Sequence, residues 1–420
     1  MDKKGNTYVC FCLHMYQPPT QDLNILKKID RECYKPLFNV LEYHDNAKLN
    51  LNINGVLIDL LREFDLSDTI DLLKKLVSEG KIEIVGTAKF HPILPLIPET
   101  EVHRQIHLNE ETNKKEFGKL WKRKGFFPPE MAISGSVAKH ICELGYKWVI
   151  MSGIACPIEW PYDQIYSSPN GLQLFFRDDL MSNQISFKDI TPKKFVNEAK
   201  TLHKNEKKNN STYIIIAQDA ETFGHHIPRY EKTFLGKTIE LINNDNEMEL
   251  VFISDLDQYF PVSEEVIIPK ESSWSTTYKD MEYNVPYPLW KHPDNNIHKY
   301  YWKIMKSLTN LMNLIDDLAL NEDLNVKNYY NTARWFYNRG IHSCPTWWAN
   351  LQRGTWSPNL IYKGVELLIQ AALNAQMALV HANKSDLGEG YFDSISYYHG
   401  LLLMEIYTIT KKNLSKFNKK

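Results

Sequence analysis

Cysteine is scarce in this chain and never at metal-finger spacing. Six occur in 420 residues, at positions 10, 12, 33, 142, 156 and 344, with no Cys-x-x-Cys pair. That excludes a disulfide framework and a structural zinc finger. Long apolar runs are missing too. None approaches the roughly 18 residues of a membrane span, and the six apolar residues Tyr8–Leu13 are too few for a signal-peptide core. The expectation is a cytoplasmic protein with no membrane partner. Nor is either sign of charge in excess: 49 Lys and Arg face 51 Asp and Glu. Such a surface has no field to gather a phosphate backbone, so nucleic acid is excluded as the main partner.

What the chain has is a globular composition, 43% hydrophobic and 24% charged, and many aromatics, including 10 Trp and 23 Tyr. Aromatic faces stack on bases and on sugars, and the charge balance favours sugars. A length of 420 residues implies two or three domains, or one large α/β barrel with an appendage. Over residues 1–270 short apolar runs alternate with amphipathic stretches. The strand candidates are Tyr8–Leu13, Ile82–Gly86, Met131–Ile133, Trp148–Met151, Leu172–Phe176, Tyr213–Ala217 and Leu250–Ile253. Nearly continuous apolar runs suit parallel strands covered on both faces. Helices Ile70–Ser78 and Val137–Leu144 are ended by Gly80 and Gly145, the residue favoured beyond a helix end. The pattern predicts a βα-repeat, as a barrel or a doubly wound sheet. Prolines 286, 288 and 293 mark a connector over 271–297. Helical periodicity then fills 298–420, over Tyr301–Leu320, Val326–Tyr337, Pro358–Val380 with Ser357 as N-cap, and Ser394–Thr410. The Lys/Asn run 204–210 and the Lys-rich end 411–420 read as solvated loop and tail.

Polar residues close several strand candidates, where a βα-barrel builds its active site. They are His14 and Gln17, His91, Glu130 after Pro128-Pro129, and Asp219 and Glu221 after the apolar run Ile214–Ala217. Each has an ordinary explanation as a turn or cap residue. Acids between apolar strands and aromatic loops nonetheless demand a partner or a task.

In order and spacing these segments resemble glycoside hydrolase family 57. His14-x-Tyr16-Gln17-Pro18 is similar to its first conserved region, Gly80–Leu96 to the second and Gly125–Glu130 to the third. Asp219-Ala220-Glu221-Thr222-Phe223-Gly224 is similar to the fourth, D-x-E-x-F-G. Tyr16 and His226 stand where the family more often has His and Trp. The resemblance implies a (β/α)7 barrel followed by a helical bundle, α-glucan substrates and a retaining mechanism; because carboxylates would supply the charge stabilisation, no cofactor or metal is expected. It implies Glu130 as nucleophile and Asp219 as general acid/base.

Acetal cleavage needs a proton donor and a group to stabilise an oxocarbenium-like centre, and two carboxyls in unlike environments supply both. His14, Gln17, His91, Arg177, Glu221, His226, Trp347 and Trp348 are the candidates for sugar contacts or for orienting the pair. The Trp-rich segment His342–Trp356 is expected to supply stacking platforms near the carboxylates. The family holds α-amylases, 4-α-glucanotransferases, branching enzymes and α-galactosidases; the long β-rich extension that its glucanotransferases tend to carry is not seen here, which favours an α-amylase-like hydrolase. Two readings of other classes stay open. A zinc-dependent deacetylase or mannosidase would gather His14, His91, His225, His226 and Asp219 on one ion. A non-catalytic glucan-binding protein would be expected to lack one of the two carboxylates. Composition carries no signal of oligomeric state.

Overall fold

A computed structural model describes residues 6–158, 162–201, 211–318 and 323–417. The chain divides into two compact units, Met1–Lys89 with Leu94–Thr276, and Phe90–Ile93 with Thr277–Lys420.

In the first unit the strands are β1 (Thr7–Met15), β2 (Leu49–Ile53), β3 (Ile82–Val85), β4 (Gly125–Phe126), β5 (Trp148–Ser152), β6 (Ile165–Ser167), β7 (Gln173–Arg177), β8 (Thr212–Asp219), β9 (Met248–Leu250) and β10 (Val262–Val266). One ladder runs β3-β2-β1-β8, with β9 on the first residues of β1, and a second runs β10-β6-β7-β5-β4. All pairs are parallel except β6–β7. The ladders meet at two seams. At the first, Phe127 N–H donates to the Gly86 carbonyl at 2.8 Å and Gly86 N–H to the Gly125 carbonyl at 2.9 Å. At the second, Asp178 N–H donates to the Ile215 carbonyl at 2.8 Å. Strands β1, β2, β3, β4, β5, β7 and β8 therefore succeed one another in a (β/α)7-type arrangement whose seams carry isolated bonds in place of full ladders.

Side-chain alternation sorts the core into two layers. Tyr8, Cys10 and Cys12 of β1 cluster with Ile150 of β5, Phe175 of β7, and Ile215 and Ala217 of β8. The opposite faces, Val149, Met151, Leu174 and Phe176, cluster with Val102 and Ile106 of helix Glu99–Phe117 and Val137 and Ile141 of helix Gly135–Glu143. The first layer fills the ring and the second seals it against its helices. Two residues beyond Cys12, Phe175 and Ala217, on the same faces, come His14, Arg177 and Asp219.

The second unit has four long helices, Asn296–Asp316, Leu324–Gly340, Pro358–His381 and Asp386–Phe417. Pro358–His381 packs most extensively on Leu324–Gly340 and also on Asn296–Asp316 and Asp386–Phe417, and its Ala371, Ala372, Ala375 and Ala378 are wholly buried. A short antiparallel pair, β11 (Ala349–Asn350) with β12 (Thr355–Trp356), precedes Pro358. No helix among the described residues is long and apolar enough to cross a membrane.

Several expected elements move. The fourth strand is Gly125–Phe126 instead of Met131–Ile133: Pro128 and Pro129 break the run, and residues 129–131 form a 3₁₀ turn. Ile133 makes an isolated antiparallel bridge to Ser272. Strand β2 escapes an apolar search because Asn50 and Asn52 interrupt it. Ser357 holds the N-cap position without a side-chain cap bond. The last helix continues to Phe417, through residues read as tail. The run 204–210 lies outside the described residues.

Candidate active site

The β1–β8 ladder sets His14 opposite Asp219. His14 is buried, its ring stacked on Phe127 with centroids 5.1 Å apart and Nδ1 bonded to Asn52 Oδ1. Burial pushes its pKa down to about 4, so it serves as a neutral imidazole. Arg177, also buried, donates from Nε to the Ala217 carbonyl at 2.6 Å, and its other nitrogens donate to Asp179 at 2.7 Å and Asn183 at 2.8 Å. Thus anchored, its charge opposes the burial that raises Asp219 to about 6.

Glu130 and Met131 have φ of 58° and 49°, left-handed values that non-glycine residues avoid. Such strain, roughly 1–3 kcal/mol per residue, persists where surrounding structure enforces it. Trp274 enforces it here: its N–H donates to the Glu130 carbonyl at 3.1 Å, and its indole Nε1 donates to Oε2 at 2.7 Å. Burial, then the Asp219 charge, raise Glu130 to about 8, with the indole pulling the other way. The two carboxyls thus feel one another, and their environments hold their pKa values apart.

Glu221 sits in the 3₁₀ turn after β8. Its Oε1 accepts from Gln17 Nε2 at 2.9 Å and from the Tyr34 hydroxyl. Burial, then Asp219, raise it to about 8. Gln17 is committed to this network, since its Nε2 also reaches the Tyr34 hydroxyl at 3.1 Å. The turn needs its glycine: Gly224 has φ +127°, and a Cβ there would stand 2.0 Å from the Glu32 carbonyl oxygen. His226 is exposed beside His225, whose Nδ1 lies 2.8 Å from Glu32 Oε2.

The remaining candidates belong to the second unit. His91 is buried, with φ 59°; its Nδ1 lies 2.8 Å from Ser343 Oγ and its carbonyl accepts from Ser343 N–H at 3.1 Å. Trp347 and Trp348 are half-buried and edge-on to one another at 4.7 Å. Trp356, also half-buried, lines a cavity of about 390 Å³ with His292, Asn350 and Arg353.

The first unit therefore gathers His14, Gln17, Glu130, Arg177, Asp219 and Glu221 around strand ends, with Asn52, Phe127, Tyr34 and Trp274 supporting them. Phe127 lies inside the Gly125–Glu130 motif, whereas Asn52, Tyr34 and Trp274 carry no such signal in the sequence. Trp274 lies four residues beyond the expected barrel end, and Tyr34 closes a π-helical turn with no sequence pattern of its own. Among the described residues, His14, His91, His225, His226 and Asp219 form no group of three whose ligand atoms lie close enough to share an ion, as the zinc reading requires.

A conserved-family model, Glycosyl hydrolase family 57, matches residues 11–269. An alpha-amylase of Pyrococcus horikoshii is 25% identical over 97% of this chain and 59% of its own length. A 4-alpha-glucanotransferase of Thermococcus litoralis is 23% identical over 69% of this chain and 45% of its own. The chain thus spans little more than half of the curated relatives it matches, or less. Among solved structures, a GH57-type branching enzyme of Pyrococcus horikoshii superposes with a TM-score of 0.72 at 14% identity, over 96% of this chain and 97% of its own. The match of the family model, across the segments that carry His14, Glu130 and Asp219, settles the kinship: the chain belongs to glycosyl hydrolase family 57.

Proposed function

We propose that the chain is a retaining glycoside hydrolase acting on α-linked glucans, in the manner of an α-amylase. The observation that carries this is two buried carboxyls at strand ends, Glu130 held by the Trp274 indole and Asp219 opposite His14 and stabilised as an anion by the Arg177 charge. Glu130 attacks the anomeric carbon while Asp219 protonates the departing glycosidic oxygen, so the C–O bond breaks as a glycosyl ester forms. A water molecule then gives its proton to Asp219 and displaces Glu130. In the substrate-free site Glu130 is the weaker acid, and the reading requires the proton to settle on Asp219 once sugar is bound. Positive charge developing at the anomeric carbon and the Trp274 indole N–H both favour Glu130 as the anion. His14, Gln17, Arg177, Glu221 and His226 position the pair or contact sugar, and His91, Trp347 and Trp348 are further contacts.

Relatives named for hydrolysis and for glucan transfer both match, so a chromatographic product profile on maltooligosaccharides is the first measurement. Shortened chains alone support hydrolysis; lengthened chains move the assignment to transfer. Roles are tested with Glu130→Gly and Asp219→Ala, each expected to lower kcat roughly 10²–10⁴-fold. Azide should rescue the first by giving the inverted glycosyl azide and the second by giving the retained one. Swapped products would reverse the roles, and full activity in either variant would end the assignment.

A further inference from the structure

Glu99, His103 and His140 form a cluster in the first unit that the carbohydrate chemistry does not use. Their donor atoms lie within 4.8 Å of one another. Glu99 and His103 are four apart on helix Glu99–Phe117 and so share a face. His140 comes from helix Gly135–Glu143. Val102 and Ile106 of the first helix pack with Val137 and Ile141 of the second in one core cluster, which fixes the faces toward each other.

The imidazoles are arranged as ligands are. His140 is 6% exposed, and its Nδ1 is buried without a hydrogen bond, as is His103 Nε2. Two nitrogens hidden from water and short of a hydrogen bond are unfavourable unless something satisfies them, and the carboxylates beside His140 Nδ1 stand too far off for a full bond. The other nitrogen of His140, Nε2, lies 3.2 Å from Ser136 Oγ, a hydroxyl that can donate or accept; in the metal-bound form it would accept the Nε2 proton, and Nδ1 would carry the lone pair. Nδ1 stands 3.5 Å from Glu99 Oε1 and 3.4 Å from Glu143 Oε2. Ligand atoms about a tetrahedral zinc at roughly 2.05 Å are separated by about 3.3–3.4 Å. The two rings meet at 79° with centroids 5.1 Å apart, so both nitrogens can face one point.

We propose that Glu99, His103 and His140 bind a divalent transition-metal ion, zinc in first place. Two imidazoles and a carboxylate suit zinc better than calcium or magnesium, which take oxygen ligands. The exposed Glu99 side leaves room for water or Glu143 at a fourth position. The joined helices bracket in sequence the segment 118–134, which carries β4 and the Glu130 turn. The ion is thus a clip on the shell of the unit and takes no part in bond cleavage.

The test uses the full chain, stripped with EDTA and titrated with Zn²⁺ by calorimetry and with Co²⁺ by visible absorption. One equivalent should bind, with tetrahedral Co²⁺ bands, and Zn²⁺ should raise the thermal midpoint. His103→Gln and Glu99→Gln, both at incompletely buried positions, should weaken binding by at least the roughly 10–100-fold that loss of an outer-shell partner costs. They should also abolish the zinc-induced shift, with kcat below the midpoint unchanged. Absence of the shift in the unaltered chain, or equal affinity in both variants, overturns the proposal.

Discussion

Trp274 grips Glu130 at both ends of the residue, donating from its backbone to the Glu130 carbonyl and from its indole to the carboxylate, across 144 positions of chain. The first bond fixes a left-handed backbone and the second favours the ionised acid. Trp274→Phe keeps the ring and removes the second bond. A hydrogen bond to a charged group contributes roughly 1.5–3 kcal/mol, so kcat/KM should fall about 10–150-fold. Because the indole stabilises the anion, its loss raises the Glu130 pKa. In the sugar-bound enzyme, where Asp219 holds the proton and Glu130 must be ionised, the acid limb of the kcat–pH profile should move to higher pH, and an unmoved limb would show that Trp274 acts only as packing.

The raised carboxyls also tie stability to pH. Glu221 stands near 8 in the folded chain against an ordinary value of 4.5. From pH 4.5 to 8 the unfolded chain gives up this proton while the folded chain keeps it. The stabilisation is therefore complete below 4.5 and is lost as pH rises through the folded value. Glu221→Gln retains an acceptor for Tyr34 and Gln17 and removes the titration. Its thermal midpoint should match that of the parent at pH 4.5 and exceed it by roughly 5 °C at pH 8, read by calorimetry.

Catalysis should not depend on an added ion. Charge development is met by Glu130, Asp219 and the fixed donors around them. After exhaustive EDTA dialysis, kcat measured well below the melting temperature should stay within about twofold of the untreated value. Loss of activity restored by Zn²⁺ would return the deacetylase or mannosidase reading to first place.

The half-buried indoles of the second unit carry a further expectation. A stacked ring contributes roughly 0.5–1.5 kcal/mol beyond the area it buries. Trp347→Ala should raise KM for maltooligosaccharides about 2–10-fold and leave KM for a short activated glucoside nearly unchanged. Equal effects on both substrates would assign the tryptophan to folding alone.

His14, Arg177 and Asp219 were legible in the sequence because each ends an apolar strand, and alternation carries the inward face of Cys12, Phe175 and Ala217 onto it. The Glu130 turn was legible only as a motif. Its left-handed backbone is imposed from Trp274, and no glycine marks it. Asn50 and Asn52 hid β2, because inward amides break the apolar run on which a buried strand is recognised. Tyr34 was invisible for another reason: a π-helical turn has no hydrophobic period to read. His91 shows the reverse failure, a residue placed by its neighbours in sequence among the barrel strands and found bonded to Ser343 of the helical unit.

The register that sets His14 against Asp219 has a consequence for synthesis. One edge of β1 is completed by β8, whose residues 212–219 are translated about 200 positions after Met15. At roughly 5–20 residues per second, the first strand waits some ten to forty seconds on the ribosome for its partner. Throughout that interval a nine-residue, almost wholly apolar strand keeps an unpaired edge, the kind of surface on which nascent chains aggregate. The residues that build the active site thus also set the moment of greatest exposure, and faster elongation between positions 15 and 212 would shorten it.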